Sequence, residues 1–385
     1  MIPFIELVAK DLLEKKINFS NTSLIFPGKR PIIFFKNTLK KLGYVGILPE
    51  LITIEEWVGK ISGIHVISGI NLWFVFYTIY CASVKEPKSF QEFLKWAPTL
   101  LNDFNDLDKS LSSPKEFFYA LASSERIEKW GKQDWEKDIT LLNQEILFWK
   151  EMELVYLNTV KYFSENKKGY EGFAYKEALQ NLPTYLENPE NKFVFVGFNV
   201  LTKIEEKIIT HCLNKGKAFI YWEADEYYLN NKEQEAGDFL RKYQKWNYYN
   251  KESFSFKLNN FRKEKVINTY SVSNSINQVK LLSNILKDLT QSEIENTAVV
   301  LADENLLFPL LNSLPNNIKK VNITMGMPLK YIPIVSFFDN LILLHNNRIE
   351  KKHNNNAFYF LDLFNFFDSS LIKKAKEENE FIRLL

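Results

Sequence analysis

The sequence predicts an α/β fold that is organised around buried parallel strands. Residues 193–196 form a continuous apolar run without alternation, which is typical of a strand buried on both faces of a parallel sheet. Gly197 ends this run, and Thr202 and Glu205 then have the spacing of a helix-capping box. A second apolar run follows over 218–222. Because parallel strands need a crossover connection, this stretch predicts a strand–helix–strand unit.

The first 61 residues alternate between helical and strand patterns, which supports the same fold class. The helical segments carry apolar side chains at helical spacing, and the strand segments are short apolar runs. In chain order, the patterns predict a helix over 2–16, a strand over 23–26, a turn over 27–31, a helix over 32–42, a strand over 51–54 and a helix over 54–61.

Strand patterns disappear between residues 71 and 186, where aromatic-rich helical patterns follow one another. We expect this segment to be an all-helical insertion. The polar region 230–265 is an expected boundary, and beyond it a second α/β unit is predicted, with strands over 266–272, 297–301 and 322–324. The predicted divisions are a first sheet domain in two parts (1–70 and 187–261), the helical insertion (71–186) and a second, incomplete sheet domain (262–385).

Composition indicates a folded protein without a membrane segment. The chain has 385 residues, of which 46% are hydrophobic and 15% aromatic, and its formal net charge is only +2. Nucleic-acid binding would therefore have to come from local patches. No apolar run approaches the roughly 20 residues of a membrane span. Cys81 and Cys212 fit free thiols in a reducing compartment, so the expected location is the cytoplasm. The end of the chain, just after an aromatic-rich helical stretch, is expected to mark a fragment of a longer protein.

The turn Pro-Gly-Lys-Arg over 27–30 is the strongest candidate for a phosphate site. A nucleotide-binding P-loop requires G-x-x-x-x-G-K-[ST], and here only one glycine and one lysine are present, with Arg30 where the hydroxyl should be. Lys36, Lys40 and Lys41 extend the basic character along the next helix. Three interpretations stay open: an ATP site, a basic surface turn and a contact with nucleic-acid phosphates.

Most acidic residues have simple structural explanations. Asp103, Asp106 and Asp108 lack the glycine turn and distal glutamate of a calcium loop, so a solvated helix end is expected. Glu205 and Lys207 match half of a nuclease Glu-x-Lys motif, but they fall on a predicted helix. This match is therefore taken as coincidental.

Two other groups are open to a functional interpretation. Glu223, Asp225 and Glu226 follow a predicted strand, where α/β proteins bind ligands, and they are interpreted as a polar loop or, alternatively, as a source of a catalytic acid. The aromatic residues between 73 and 80 and between 117 and 119 are expected in a core, with base stacking as the alternative. The four histidines show no metal-binding spacing.

Several segments, taken together and in this order, are similar to the amino-terminal part of a bacterial protein family. Its members are described as inactivated superfamily 1 helicases fused to a PD-(D/E)XK nuclease, related to the AddB and RecC subunits of recombination nucleases. The segments are LIFPGKRPIIFFKNTL (24–39), ITIEEWV (52–58), FVGFNVLTKIEEKI (195–208), YWEADEYYL (221–229), AVVLADENLLFPLLNSLP (298–315) and NITMGMPL (322–329).

The resemblance implies a RecA-like, P-loop helicase-type parallel sheet domain with a large helical insertion, followed by the start of a second RecA-like domain. Residues 24–30 would correspond to a strand and loop that contact single-stranded DNA, and residues 193–199 to the strand that carries the magnesium-binding acid in active helicases. This chain departs from that pattern because the strand and loop of the P-loop are missing and Gly197 and Phe198 stand in place of the acid. Loss of both features argues against ATP hydrolysis.

The sequence as a whole therefore predicts a non-catalytic scaffold that holds single- or double-stranded DNA and an AddA/RecB-like helicase–nuclease subunit. Lys29, Arg30, Lys36 and Lys40 are the candidate DNA-binding residues. No catalytic, cofactor-binding or metal-binding residue is expected in this chain. Magnesium would be needed only by a nuclease domain outside it, which would make the full-length protein a DNA exonuclease. The alternatives are a protein–protein interaction module and a degenerate nucleotide-binding enzyme.

Overall fold

The computed structural model describes residues 2–123, 139–254, 257–326, 328–329, 332–347, 349–350 and 356–378. The chain forms two compact units, the first ending at Lys265 and the second beginning at Val266.

The first unit is a mixed α/β structure. Its helices and strands are α1 (Phe4–Glu14), β1 (Thr22–Phe26), α2 (Lys29–Lys41), β2 (Glu50–Thr53), α3 (Ile54–Ser62), β3 (His65–Val66), α4 (Gly69–Ser83), α5 (Phe90–Phe93), α6 (Ala97–Ser110), α7 (Pro114–Leu121), α8 (Ile139–Asn166), β4 (Lys168–Gly169), α9 (Glu171–Tyr185), β5 (Lys192–Val196), α10 (Lys203–Asn214), β6 (Ala218–Tyr221), β7 (Ala224–Asp225), α11 (Glu226–Asn230), α12 (Asp238–Tyr243) and β8 (Lys257–Leu258).

Four of these strands form the central sheet in the order β2-β1-β5-β6. Every neighbouring pair is parallel, with Ser23 opposite both Glu50 and Phe193, and Phe193 opposite Ala218. The predicted α/β class with a parallel sheet is therefore confirmed. All four strands end at the same edge of the sheet, which places the segments that follow β1, β2, β5 and β6 at that edge.

The strand–helix–strand unit β5–α10–β6 forms as its local signals predict. Thr202 caps α10: its hydroxyl accepts the Glu205 backbone N–H at 3.4 Å, and the Glu205 carboxylate accepts the Thr202 backbone N–H at 2.8 Å. Gly197 has φ +74°, a left-handed conformation that suits glycine and allows the turn at the end of β5. One face of α10 is fully buried against the sheet, as the spacing of its apolar residues predicts: Ile204, Ile208, Ile209 and Cys212.

Side chains alternate across the sheet and join two different cores, so both faces are buried. On the first face, Trp57 of α3 packs its ring against Phe193 and Phe195, with centroids 5.1 and 5.5 Å apart. The helical region and α10 cover this face, whereas α1 and α2 cover the opposite face. The strand residues on the first face are Ile25, Ile52, Phe193, Phe195 and Ile220, and those on the second face are Leu24, Phe26, Val194, Val196 and Tyr221.

Between β2 and β5 the chain is almost entirely helical where it is described, running from α4 to α9. The prediction of an all-helical segment missed one detail, because β4 lies within it and pairs in parallel with β3, with His65 opposite Lys168. Residues 124–138 lie outside the described ranges. Within the described part of the chain, no helix combines the length and apolar character needed to cross a membrane.

The second unit differs from the prediction of a further α/β sheet. Its elements are α13 (Ser275–Lys287), α14 (Gln291–Glu295), α15 (Leu307–Ser313), α16 (Pro333–Asn346), β9 (Ile349–Glu350), β10 (Asn356–Ala357), α17 (Phe360–Phe367) and α18 (Ser370–Glu378). Helices form between the predicted strands, but the segments 266–272, 297–301 and 322–324 are not themselves paired as strands. Their β-branched side chains stay in water, as Val266 and Val300 show at 89% exposed. Strand propensity is realised only when a neighbouring strand supplies hydrogen bonds and packing.

The polar region 230–265 belongs to the first unit, which ends at Lys265, four residues beyond the expected division at 261/262. The region contributes α12 and β8 to this unit, and Leu240 and Tyr243 are buried in the core of the first sheet face.

Candidate nucleic-acid interface

The helix α2 begins directly after β1, at the carboxyl edge of the sheet. The sequence predicts a turn over 27–31 and a helix from residue 32, and this boundary is wrong: α2 starts at Lys29, with Gly28 as its N-cap. Pro31 is compatible with this start because a proline in the first helical turn lacks only an N–H that has no intrahelical partner. Lys29 and Arg30 therefore form the first turn of a helix rather than a flexible loop.

The four predicted DNA-binding residues lie together on the exposed side of α2. Lys29, Lys36 and Lys40 are separated by seven and four residues, so they align along one helical face, and Arg30 lies on the adjacent stripe. All four are exposed. The row from Lys29 to Lys40 is roughly 16 Å long at the rise of an α-helix.

Apolar side chains are interleaved with these cations. Ile33 is 60% exposed and Phe34 is 58% exposed, whereas Phe35 and Leu39 on the opposite side of α2 are buried in the core. The exposed face thus combines ammonium and guanidinium groups with one uncovered aromatic ring. This combination suits single-stranded nucleic acid, because cations neutralise phosphates and aromatic rings stack on bases.

The first turn of α2 has an unusual charge distribution. It contains two cations and no acidic residue, although the amino-terminal end of a helix already carries partial positive charge. The Nζ atom of Lys29 lies 3.6 Å from Oε1 of Glu56, which also belongs to the capping box of α3. Arg30 forms no ion pair with another described residue. An anion bound at this end of α2 would relieve the excess positive charge.

A concavity of about 410 Å³ lies beside the second half of α2. Lys36 and Lys40 line it together with residues of the loop 43–48, in which Val45 is 95% exposed. The hydroxyl of Tyr44 donates to the carbonyl oxygen of Ile47 at 2.9 Å and so closes this loop on itself. The concavity offers apolar contact beside two ammonium groups, although no sequence motif marks this loop.

A larger concavity, of about 650 Å³, lies in the second unit. The described residues of its lining include Asp303, Glu304 and Phe308, and none of those described is basic. The charge of this lining would repel phosphate, so we do not place the nucleic-acid interface there.

The carboxyl end of β5 presents glycine and aromatic rings rather than a carboxylate. A Cβ atom built on Gly197 would stand 3.5 Å from Cε1 of Phe4, and Phe198 is buried. Among the described residues, no group of three or more histidine, cysteine, aspartate or glutamate side chains is placed to hold a metal ion.

The interpretation of 103–108 as a solvated helix end is wrong for Asp108. Asp103 and Asp106 are exposed, but Asp108 is 2% exposed and accepts hydrogen bonds from the hydroxyls of Tyr156 at 2.5 Å and Tyr170 at 2.6 Å. The ammonium of Lys176 completes the group, 2.9 Å from Oδ1 of Asp108. Asp108 follows the buried residues Leu100 and Phe104 at intervals of four, a spacing that identifies the buried face of α6.

Burial, together with the adjacent Asp108 carboxylate, raises the pKa of both Tyr156 and Tyr170. Both hydroxyls therefore stay protonated and act as donors. We call Asp108, Tyr156, Tyr170 and Lys176 the Asp108 cluster. The cluster connects α6, α8 and α9, and we assign it a structural role.

Two further acidic candidates, Glu205 and Asp225, also have structural roles. Glu205 belongs to the capping box of α10, and Lys207 is exposed on the same helix, so these residues do not form a nuclease motif. Asp225 caps α11 and accepts backbone N–H groups from the turn at 260–261. Cys212 is buried, whereas Cys81 is partly exposed.

No model of a known protein family matches this chain, and a search among curated proteins found no match either.

Proposed function

We infer that this chain is a non-catalytic, RecA-like scaffold of a DNA repair or recombination nuclease, and that it holds single-stranded DNA on the exposed face of α2. The observation that carries the proposal is the composition of this face. It aligns Lys29, Lys36 and Lys40 in one row, with Arg30 and the exposed Phe34 one turn apart on a neighbouring stripe of the same helix, which begins directly after a strand of the parallel sheet. In open parallel sheets, ligands bind outside the carboxyl ends of the strands, where α2 begins.

The wider assignment rests on the sequence resemblance to inactivated helicases of the AddB and RecC type. On this proposal the partner is an AddA/RecB-like helicase–nuclease subunit, and the magnesium-dependent exonuclease activity belongs to a domain outside this chain. The role of the chain is then to guide a strand and to hold the partner rather than to move along DNA.

The test is a fluorescence-anisotropy titration of a labelled single-stranded oligonucleotide at two salt concentrations. In the Lys36→Ala/Lys40→Ala variant, affinity should fall at low salt, and the salt slope should decrease by about 1.4 in log–log units because two phosphate contacts are lost. Lys203→Ala/Lys207→Ala is the matched control. These two lysines are exposed and four residues apart on α10, which covers the opposite face of the sheet.

Equal losses in the two double variants would show that α2 is not a specific contact. Undetectable binding of the wild-type chain at low salt would remove the proposal altogether.

The second candidate function is a protein–protein interaction module. It is favoured by large apolar side chains on the surface of the helical region, where Ile70 is 58%, Phe74 is 52% and Tyr119 is 78% exposed. Substituting Lys29 and Arg30 by alanine separates the two functions. DNA binding should weaken, whereas capture of a partner subunit by the helical region should be unchanged.

A further inference from the structure

A second group of aromatic and basic side chains lies beyond β6, close to the end of the first unit. The rings of Tyr227 and Phe261 are stacked, with centroids 4.3 Å apart and planes inclined by 20°. Tyr228 supports Phe261 from another side, with a centroid distance of 5.2 Å. Phe261 nevertheless remains 42% exposed. We call Tyr227, Phe261, Arg262, Lys263 and Lys265 the 227/261 patch.

One carboxylate positions both stacked rings. Oδ1 of Asp225 accepts the backbone N–H of Tyr227 at 3.0 Å, and Oδ2 accepts those of Asn260 at 2.7 Å and Phe261 at 2.9 Å. The parallel pairing of Ala224 with Lys257 holds the same two segments together. The patch is therefore preorganised, since backbone hydrogen bonds to Asp225 fix its aromatic pair.

Cations flank the aromatic pair. The guanidinium carbon of Arg262 lies 5.8 Å from the Tyr227 ring centroid, and Nζ of Lys265 lies 4.6 Å from the Phe261 ring centroid. Lys263 is exposed between them in the sequence. Residues 261–265, FRKEK, contain three basic residues and one acidic residue. The patch thus places three cations beside an aromatic pair, with the Asp225 carboxylate bound to the backbone behind that pair.

We propose that the 227/261 patch is a second contact for single-stranded nucleic acid. A nucleotide supplies both groups that this arrangement accepts, a flat base and an anionic phosphate. The ammonium of Lys265 donates to the carbonyl oxygens of Phe261 and Lys263 as well as lying near the ring. When a base stacks on Phe261, this ammonium moves from the ring and these carbonyls to the phosphate of the same nucleotide. An acidic peptide would satisfy the cations but would leave the exposed ring uncovered.

The position of the patch in the sheet supports a path shared with α2. The patch follows β6 and α2 follows β1, and both strands end at the same edge with only β5 between them. At the usual spacing of neighbouring strands, β1 and β6 are about 10 Å apart. We infer that one strand of nucleic acid crosses this edge and meets the first turn of α2 and the patch in succession. The proposal takes its class of ligand from the proposed function, and the experiment below separates the two sites.

The test uses the full chain and a labelled oligothymidylate of about 20 nucleotides, titrated by fluorescence anisotropy. Phe261→Ala should weaken binding about 5-fold or more without changing the salt slope, because a stacking contact releases no counterion. Arg262→Ala/Lys263→Ala should lower the slope by about 1.4. Phe239→Ala is the matched control: Phe239 is 41% exposed and its ring centroid lies 6.4 Å from that of Tyr243, but no cation among the described residues lies over its ring. It should change affinity less than 2-fold.

The outcomes distinguish the two proposals. If Lys36→Ala/Lys40→Ala weakens binding and both patch variants do not, the second contact is wrong and the proposed function stands. If only the patch variants weaken binding, the patch stands and the α2 contact is wrong. If polyglutamate competes with the labelled strand as strongly as unlabelled oligothymidylate does, the stacking contact is wrong and the patch is a general polyanion-binding surface.

A photochemical measurement on the wild-type chain covers the case in which Phe261→Ala impairs folding. A strand that contains 5-iododeoxyuridine should cross-link to the peptide that contains Phe261 or Tyr227, as identified by mass spectrometry. Cross-links confined to other peptides would overturn the proposal.

Discussion

The ring of Phe4 on α1 lies beside Gly197 at the carboxyl end of β5, where a Cβ atom on Gly197 would stand 3.5 Å from Cε1 of Phe4. A strand end that presents a glycine against an aromatic ring offers no carboxylate to a nucleotide-bound magnesium ion. We therefore expect ATP with Mg²⁺ to leave the thermal unfolding midpoint unchanged. Ligand at 100 times its dissociation constant would add about 2.7 kcal/mol to the free energy of unfolding. A clear, saturable rise in the midpoint would favour the degenerate nucleotide-binding enzyme instead.

The conformation of Gly197 predicts the effect of a single methyl group. Gly197→Ala should lower the free energy of unfolding by about 1–2 kcal/mol, because an L-residue is strained at φ +74°. Gly59→Ala is the matched control, since Gly59 lies inside α3 at an ordinary helical position and a Cβ there would meet nothing within 4 Å. It should raise the free energy of unfolding by about 0.5–1 kcal/mol. Urea denaturation followed by circular dichroism measures both. Changes of the same sign would contradict the assignment of strain to Gly197.

The Asp108 cluster predicts a large loss of stability at a position that appears solvated from the sequence. Asp108→Ala leaves two buried tyrosine hydroxyls and the Lys176 ammonium without their acceptor, and it should cost about 3 kcal/mol. Asp106→Ala, on the exposed side of the same helix, should stay within about 0.5 kcal/mol. Denaturation in urea at neutral pH compares the two variants. A small effect of Asp108→Ala would show that water replaces the lost carboxylate.

Asp225 predicts a pH-dependent contribution to stability. Burial opposes ionisation of this carboxyl group, but the backbone N–H groups of Phe261, Tyr227 and Asn260, with Lys265, outweigh burial and lower the pKa of Asp225 below its ordinary value of 3.8. Since the folded-state pKa is the lower one, the contribution is fully present above the unfolded-state pKa and is lost as pH falls through the folded-state pKa.

The Asp225→Asn variant replaces one carboxylate oxygen by an amide nitrogen. This nitrogen cannot accept a hydrogen bond, so the backbone N–H groups that were bonded to that oxygen lose their acceptor. The wild-type chain should therefore be more stable by about 1 kcal/mol at pH 7, a modest value because water screens this partly exposed group. Urea denaturation should find the difference constant from pH 7 to pH 5 and smaller below about pH 4. A difference that grows as the pH falls would contradict the hydrogen-bonding role of Asp225.

Local signals were sufficient for the central part of the fold. The apolar run of β5, the capping box of α10 and the return strand β6 lie within one short stretch, and each signal depends only on residues nearby in sequence. The start of α2 was missed for a local reason as well, because Pro31 was interpreted as part of a turn although proline is also compatible with a first helical turn. That difference moves Lys29 and Arg30 from a predicted turn into the helix that also carries Lys36 and Lys40.

The sequence by itself determined the parallel α/β class, the strand–helix–strand unit and the basic residues of α2, since strand burial and helix capping depend on short-range patterns. Only the tertiary structure decided which polar groups are buried and which rings are paired. The Asp108 carboxylate meets Tyr156 across 48 residues of sequence, and Asp225 meets the Phe261 N–H across 36. The tertiary structure also leaves the strand-like segments of the second unit unpaired. A strand depends on hydrogen bonds from a neighbouring strand, which no local sequence pattern can supply.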